Sequence, residues 1–163
     1  MQANTLLRTL FDYKAWANDA LFTQLRALPD AAHAATRHSA TRVLNHVYVV
    51  DRIFEANVQG RPHAYTGLNT PETPALDALH DAVRGLDAWY LAYVATLDEA
   101  SLGESIAFTF VDGKPGRMTR GEMLAHVITH GNYHRGAAGR ILVLADQSPP
   151  PDTLTVFLHR GDR

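Results

Sequence analysis

Cysteine is absent from the 163-residue sequence. This absence excludes disulfides, thiolate metal sites and thiol nucleophiles, because each of them needs a cysteine sulfur. Neither sign of charge is in marked excess, since 15 basic residues stand against 17 acidic ones and the formal net charge is −2. A dedicated nucleic-acid-binding protein needs a basic surplus to contact phosphates, so the composition argues against that class of partner.

Long apolar runs are also missing. The longest, at residues 47–50 and 141–145, are far shorter than the roughly 20 residues that span a bilayer. The first five residues lack the basic and apolar regions of a secretory signal. We therefore expect a cytoplasmic protein that does not bind a membrane. At roughly 150 residues per domain, the length predicts a single domain over residues 1–163.

Four segments show the periodicity of amphipathic helices, with apolar residues at three- and four-residue steps. They cover residues 6–28, 41–59, 76–97 and 119–145. Pro29 ends the first segment and Gly60 the second, while Thr119 and Glu122 form the pattern of a capping box at the start of the fourth.

Two shorter elements complete the predicted fold. The β-prone residues 106–110 lead into an Asp-Gly turn, which predicts a short β-hairpin. The tail, residues 152–159, is expected to form one short element over the bundle. The sequence thus predicts an all-α fold, a four-helix bundle with a short β-hairpin before the last helix. The longer loop over residues 60–74 allows a crossover.

Histidine is abundant, with nine residues. His126, His130 and His134 recur at four-residue spacing, and at about 100° per residue they all project from the core-facing stripe of the fourth helix. His46 shares a face with apolar residues of the second helix. Such imidazoles need partners, because burying a polar group without a hydrogen bond costs roughly 1–3 kcal/mol.

Two interpretations of these four histidines are open. They could be core residues that hydrogen-bond to backbone carbonyls or tyrosines. A run of three at this spacing is rare by chance, however, and helix bundles build metal sites from inward-facing side chains, so a metal site is favoured. Helix geometry allows either His126 with His130 or His130 with His134 as the chelating pair.

Imidazole ligands suit zinc, nickel, copper and ferrous iron. We expect zinc or nickel, with iron or manganese as alternatives. Three imidazoles leave at least one coordination position for water, as in catalytic zinc sites. The glutamate that zinc peptidases carry after their first histidine is missing here, so a peptidase is not expected. Carboxylates that could act as a base are Asp12, Asp51 and Glu55, but no recognised motif places them.

Other prominent residues have structural interpretations. Arg135 and Arg140 could meet an anionic substrate or form ion pairs. Four aromatic residues are expected in the core rather than in a pocket, namely Tyr13, Trp16, Trp89 and Tyr133. Five histidines are expected at the surface, namely His33, His38, His63, His80 and His159.

Three stretches of the sequence together resemble a known family. Residues 13–18 read Tyr-Lys-Ala-Trp-Ala-Asn, residues 44–52 contain Leu-Asn-His and Val-Asp-Arg, and residues 126–136 end in His-Arg-Gly after two further histidines. Their order and spacing are similar to those of the DinB/YfiT-like family of bacterial metal-binding four-helix bundles, over nearly the whole chain.

The resemblance implies a divalent metal site with His46, His130 and His134 as the ligands. His126 would then line the pocket or support a ligand. The resemblance also implies a homodimer, and some relatives are thiol-dependent transferases or isomerases. We therefore expect a metal-dependent enzyme of the thiol-transferase or hydrolase type. The alternative is a non-catalytic protein that binds a metal or a small molecule.

Overall fold

The computed structural model describes residues 3–161. Four long helices form most of this part of the chain, and two short helices and a two-stranded sheet accompany them. In chain order the elements are α1 (Ala3–Ala27), α2 (Asp30–Val58), α3 (Leu76–Ala95), α4 (Glu99–Gly103), β1 (Ser105–Thr109), β2 (Pro115–Thr119), α5 (Arg120–Leu144) and α6 (Leu154–His159). The predicted all-α bundle with a hairpin before its last long helix is confirmed.

The long helices pack around a shared core. The main contacts join α1 to α3 and α5, and α2 to the same two helices, so that α1 and α2 lie diagonally across the bundle. This arrangement places α2 directly against α5, and these are the two helices that carry the histidines singled out in the sequence. Over residues 3–161, no helix is long and apolar enough to cross a membrane.

The predicted start of the second helix near Thr41 is wrong, because α2 begins at Asp30. The additional residues are rich in alanine, which favours a helix without producing an apolar stripe. A kink at His33, with φ −126° and ψ 18°, interrupts the helix there. The capping box at the start of α5 is confirmed, since the side chains of Thr119 and Glu122 each accept a hydrogen bond from the other residue's backbone N–H.

The hairpin pairs β1 with β2 in antiparallel register, and Phe108 lies opposite Gly116. A Cβ atom at Gly116 would lie 2.6 Å from Phe108 Cζ and 2.8 Å from Phe110 Cε2. Only glycine therefore leaves room at this position for the two aromatic rings to lie across the neighbouring strand.

The core consists of two large apolar clusters at different levels of the bundle. One surrounds Tyr90 and Val127, and the other surrounds Leu25 and Leu142. Polar residues are also buried on every long helix, namely Lys14, Asn18, Asp51, Asp87 and Arg135. Lys14 contacts Asp51 and Asp87, and Asn18 is hydrogen-bonded to Asp87 and Arg135, so these residues form one buried polar network.

The tail forms the short element that the sequence predicted. Phe157 of α6 is buried against Tyr13 and Trp16 of α1. Just before α6, Asp152 accepts hydrogen bonds from the Tyr13 hydroxyl and from Arg135 Nε, the latter at 2.8 Å. The tail is therefore attached to both α1 and α5.

Candidate metal centre

The structure brings together one histidine of α2 and two of α5. His46, His130 and His134 each offer a ring nitrogen, and these nitrogens all lie within 4.8 Å of one another. The centroids of the His46 ring and the His134 ring are 4.5 Å apart, and those of His130 and His134 are 4.4 Å apart. Of the two pairs that helix geometry allows, the pair that meets His46 in this cluster is His130 with His134.

The orientation of His46 is set by the loop after α2. Its Nδ1 donates a hydrogen bond to the backbone carbonyl of Leu68 at 2.7 Å. Because a neutral imidazole carries one hydrogen, this bond leaves the lone pair on Nε2, which faces α5. Metal-binding histidines commonly have this arrangement, in which the outer nitrogen is bonded to a carbonyl or carboxylate.

The distance between the facing nitrogens of His46 and His130 shows whether a metal ion fits this cluster. His46 Nε2 and His130 Nε2 are 3.1 Å apart, close to the roughly 3.3 Å between two nitrogens on one tetrahedral zinc ion. The Nδ1 atom of His130 is buried and has no hydrogen-bond partner among the described residues. A fully satisfied core histidine would have a partner on each nitrogen. The donor set and its spacing therefore fit a divalent ion.

The electrostatics of the cluster keep the imidazoles of His130 and His134 neutral. Burial, together with the neighbouring histidines and Lys14, lowers the pKa of His130 to about 3. Burial also lowers the pKa of His134, and His46 adds to this effect. Only the unprotonated ring can bind a metal ion, so these shifts keep His130 and His134 in their binding form at neutral pH.

His126 lies next to the cluster but is not part of it. Its ring stacks on His130 with the centroids 5.3 Å apart, and it also contacts the ring of Phe54, with the centroids 4.6 Å apart. It is partly buried, and burial lowers its pKa. His126 therefore packs against one side of His130 in an uncharged form.

The carboxylates considered from the sequence are exposed or engaged elsewhere. Asp12 is exposed. Asp51 is buried and lies 2.9 Å from Lys14 Nζ, while Glu55 contacts Arg52 and Arg61 at 2.8 and 3.1 Å. In the described part of the chain, the group that could hold a metal contains three imidazoles and no carboxylate.

The expectation that His80 is exposed is wrong. His80 is only 2% exposed and stacks on Phe22, with the ring centroids 4.7 Å apart. One of its nitrogens is 2.9 Å from Asp19 and the other 3.0 Å from Arg26, so both are satisfied. His80 is therefore a core histidine with a partner on each ring nitrogen, whereas His130 has a nitrogen without one. His38 and His159 are exposed as expected, whereas His33 and His63 are partly buried.

The remaining candidate residues divide between the core and the surface. Tyr13 is buried, Trp16 and Trp89 are partly buried, but Tyr133 is 76% exposed, so its predicted place in the core is wrong. Arg135 is buried in an ion pair with Asp152. Arg140 is exposed.

Lys14 carries no functional or structural prediction from the sequence. Its side chain is 1% exposed, and Nζ lies 2.6 Å from Asp87 and 2.9 Å from Asp51. The side chain passes close to α5, because a Cβ atom at Gly131 would lie 3.4 Å from Lys14 Cε. The pattern offered a clue, since Lys14 falls four residues after Leu10 and three before Ala17 within the apolar stripe.

The fold and the site together define a helical bundle with a three-histidine cluster between two of its long helices. The chain belongs to the DinB family, whose model matches residues 1–161, and the resemblance seen in the sequence is thereby confirmed. It is similar to Protein DinB of Bacillus subtilis (strain 168), with 24% identity over 159 residues that cover 91% of each chain. No solved structure matches the chain.

Proposed function

We propose that this protein binds a single divalent metal ion through His46, His130 and His134. The observation that carries the proposal is the convergence of three ring nitrogens within 4.8 Å, from two helices that pack directly together. Zinc and nickel are the preferred ions because imidazole suits both, and iron and manganese are the alternatives.

The surroundings of each ring support this assignment. The Leu68 carbonyl holds the His46 hydrogen on Nδ1, so that Nε2 is free to bind. His130 Nε2 faces His46 Nε2 at 3.1 Å, and the lowered pKa of His130 removes competition from protons. His80 shows how this fold satisfies a histidine that has only a packing role, with a partner on each nitrogen.

For the reaction, we propose thiol transfer in preference to hydrolysis. A divalent ion held by His46, His130 and His134 would leave a position for a further ligand, and it would lower the pKa of a thiol bound there so that the proton passes to solvent. A hydrolase of this type uses a protein base as well, and Asp51 and Glu55 are already paired with basic side chains. Because the chain has no cysteine, the thiol would have to arrive as a substrate.

A non-catalytic metal-binding protein is the second candidate. The observation that favours it is the same engagement of the nearby carboxylates, which leaves the described site without a general base. The two candidates differ in whether the metal-loaded protein turns over a thiol and an electrophile.

Metal analysis of protein purified without a His-tag tests the binding proposal. We expect close to one ion per chain after incubation with zinc or nickel and removal of the excess. A content below about 0.2 ion per chain under these conditions would overturn it. A screen of the loaded protein with small thiols and an aryl halide then tests thiol transfer, with the metal-free protein as the matched control.

A further inference from the structure

Arg42 is a cationic neighbour of the candidate metal centre. It lies on α2 one helical turn before His46, so the two side chains share a face of the helix. Both contact the loop after α2. His46 Nδ1 donates to the Leu68 carbonyl. Arg42 Nη1 donates to the carbonyls of Thr70 and, at 3.4 Å, Pro71. Leu68 and Thr70 are close in sequence, and the chain between them spans about 7 Å at most, so a small molecule bound at the centre can reach Arg42.

The positive charge of Arg42 is not balanced by a carboxylate. Within the described chain its hydrogen bonds go to the two loop carbonyls, which are uncharged. Arg52, Arg61 and Arg135, by contrast, each contact an acidic side chain. Arg42 is also partly buried, and a partly buried charge is screened less by salt than an exposed one. An anion is therefore favoured beside it.

The donors that Arg42 does not use form one edge of its guanidinium group. This edge consists of Nε and Nη2, and neither atom has a partner in the described part of the chain. Neither atom is among the buried unpaired atoms, so both are accessible to a ligand. Arg135 shows what the same edge binds, because its Nε and Nη2 hold the Asp152 carboxylate at 2.8 and 3.3 Å. The free edge of Arg42 thus fits a carboxylate through two parallel hydrogen bonds.

We propose that Arg42 binds the carboxylate of a substrate whose thiol binds at the candidate metal centre. This assignment rests on the proposed function and adds the substrate class, a thiol that carries a carboxylate several bonds away from its sulfur. Arg42 selects this substrate over a neutral thiol and holds its far end. The guanidinium group and the carboxylate both keep their charges throughout, so Arg42 exchanges no proton with the substrate.

A binding experiment tests the selection without requiring turnover. The protein is loaded with cobalt(II), which imidazole ligands also bind, and thiol binding is followed by the sulfur-to-cobalt charge-transfer absorption. The probes are 4-mercaptobutanoate and 5-mercaptopentanoate, whose chains are too long to close a small chelate ring on the ion. Each is compared with its amide, which has nearly the same shape and no charge. We expect at least one acid to bind about tenfold more tightly than its amide at low ionic strength, because hydrogen bonds to charged groups are the stronger ones.

The outcomes separate this inference from the proposed function. Cobalt binding with equal affinities for each acid and its amide would overturn the role of Arg42 and leave the metal site standing. A protein that binds neither cobalt nor zinc would overturn both.

Variants locate the preference. Arg42→Gln also removes the hydrogen bonds to the loop, but a disturbed loop affects acid and amide alike, so the readout is the ratio of their affinities. We expect this ratio to fall close to one in Arg42→Gln and to be partly kept in Arg42→Lys, which retains the charge without the two-donor edge. Arg84→Gln is the matched control, because it removes an exposed arginine from α3 and should leave the ratio unchanged.

A ratio that Arg42→Gln leaves unchanged, or that Arg84→Gln lowers equally, would overturn the assignment. If Arg42→Gln does not fold, Arg42→Lys decides alone, since an undiminished ratio there would show that the two-donor edge is not used.

Discussion

The Nδ1–H of His46 donates to the carbonyl oxygen of Leu68 at 2.7 Å across 22 residues of sequence. The carbonyl belongs to a loop that is itself tied to α2. Asn69 accepts a hydrogen bond from Asn45 Nδ2, and its own Nδ2 donates to the Arg42 carbonyl at 3.2 Å. The direction of a candidate ligand nitrogen therefore depends on the conformation of a connecting loop.

Asn69→Ala tests this dependence. The substitution removes the amide that holds the loop to α2, so the Leu68 carbonyl becomes less well placed to orient His46. We expect metal affinity to fall by up to about tenfold, the lower end of the range for residues that support a ligand. Leu68→Ala is the matched control, because only its backbone is used. Equal zinc affinities for the two variants, measured by competition with a chelator, would contradict this role of the loop.

The assignment of the ligands predicts different outcomes for the histidines of α5. His134→Ala should abolish zinc binding, as should His46→Ala and His130→Ala, because each removes one of three donors. His126→Ala should only weaken it, since the His126 ring packs against His130 without joining the cluster. Titration with zinc distinguishes these outcomes. Loss of binding in His126→Ala together with its retention in His134→Ala would show that the pairing is wrong.

Lys14 is predicted to be important for stability. Lys14→Met leaves Asp51 and Asp87 buried without their shared cation, and breaking a buried ion pair in this way typically costs about 3–5 kcal/mol. Urea denaturation should show this loss. Adding Asp51→Asn to Lys14→Met should recover part of it, because one stranded charge disappears. Lys114→Ala, which breaks an exposed ion pair, should leave unfolding unchanged, and an equal loss there would contradict the argument.

The pH dependence of stability should report the protonation of Asp51. Burial raises its pKa from 3.8 to about 6, although Lys14 opposes this effect. A carboxyl whose pKa is raised by folding contributes stability that is fully present below its unfolded value and is lost as the pH rises through the folded value. Asn is neutral throughout, so the stability of the wild type relative to Asp51→Asn should decline between about pH 4 and pH 7.

The comparison with Asp51→Asn matters because His130 acts in the opposite direction. Its pKa is lowered to about 3 in the folded protein, so it contributes stability that is lost as the pH falls below 6.5. The wild type alone would report the sum of the two effects. Denaturation of both metal-free proteins at each pH isolates Asp51, and parallel pH profiles would contradict the raised pKa.

Local sequence patterns predicted the elements whose ends are set by a proline, a capping box or a turn a few residues away. Pro29 lies just beyond α1, the Thr119–Glu122 capping box starts α5, and the Asp-Gly turn separates β1 from β2. The start of α2 was missed because the alanine-rich stretch from Asp30 has helix propensity but no amphipathic pattern. The helix α4 was missed because its five residues, Glu99–Gly103, are too short to show a period.

The histidine cluster was visible in the spacing on one helix, but the choice between pairs depended on how α2 meets α5. Periodicity along one helix cannot give that relation, and it came from the family resemblance. The burial of His80 and Lys14 could not be predicted from the sequence either, because their partners Asp19, Asp51 and Asp87 lie on other helices. Burial of a polar side chain is decided by residues that are distant in sequence.

The attachment of the tail has a consequence for the order in which the molecule is completed. Arg135 directly follows His134 and is buried, and its carboxylate partner Asp152 is added to the growing chain only after α5 has been made. Until then, burying this part of α5 would strand a positive charge. We expect a chain that stops before residue 152 to contain all three clustered histidines and yet fail to hold them in place. In that case an unfinished product would not bind an ion at this site.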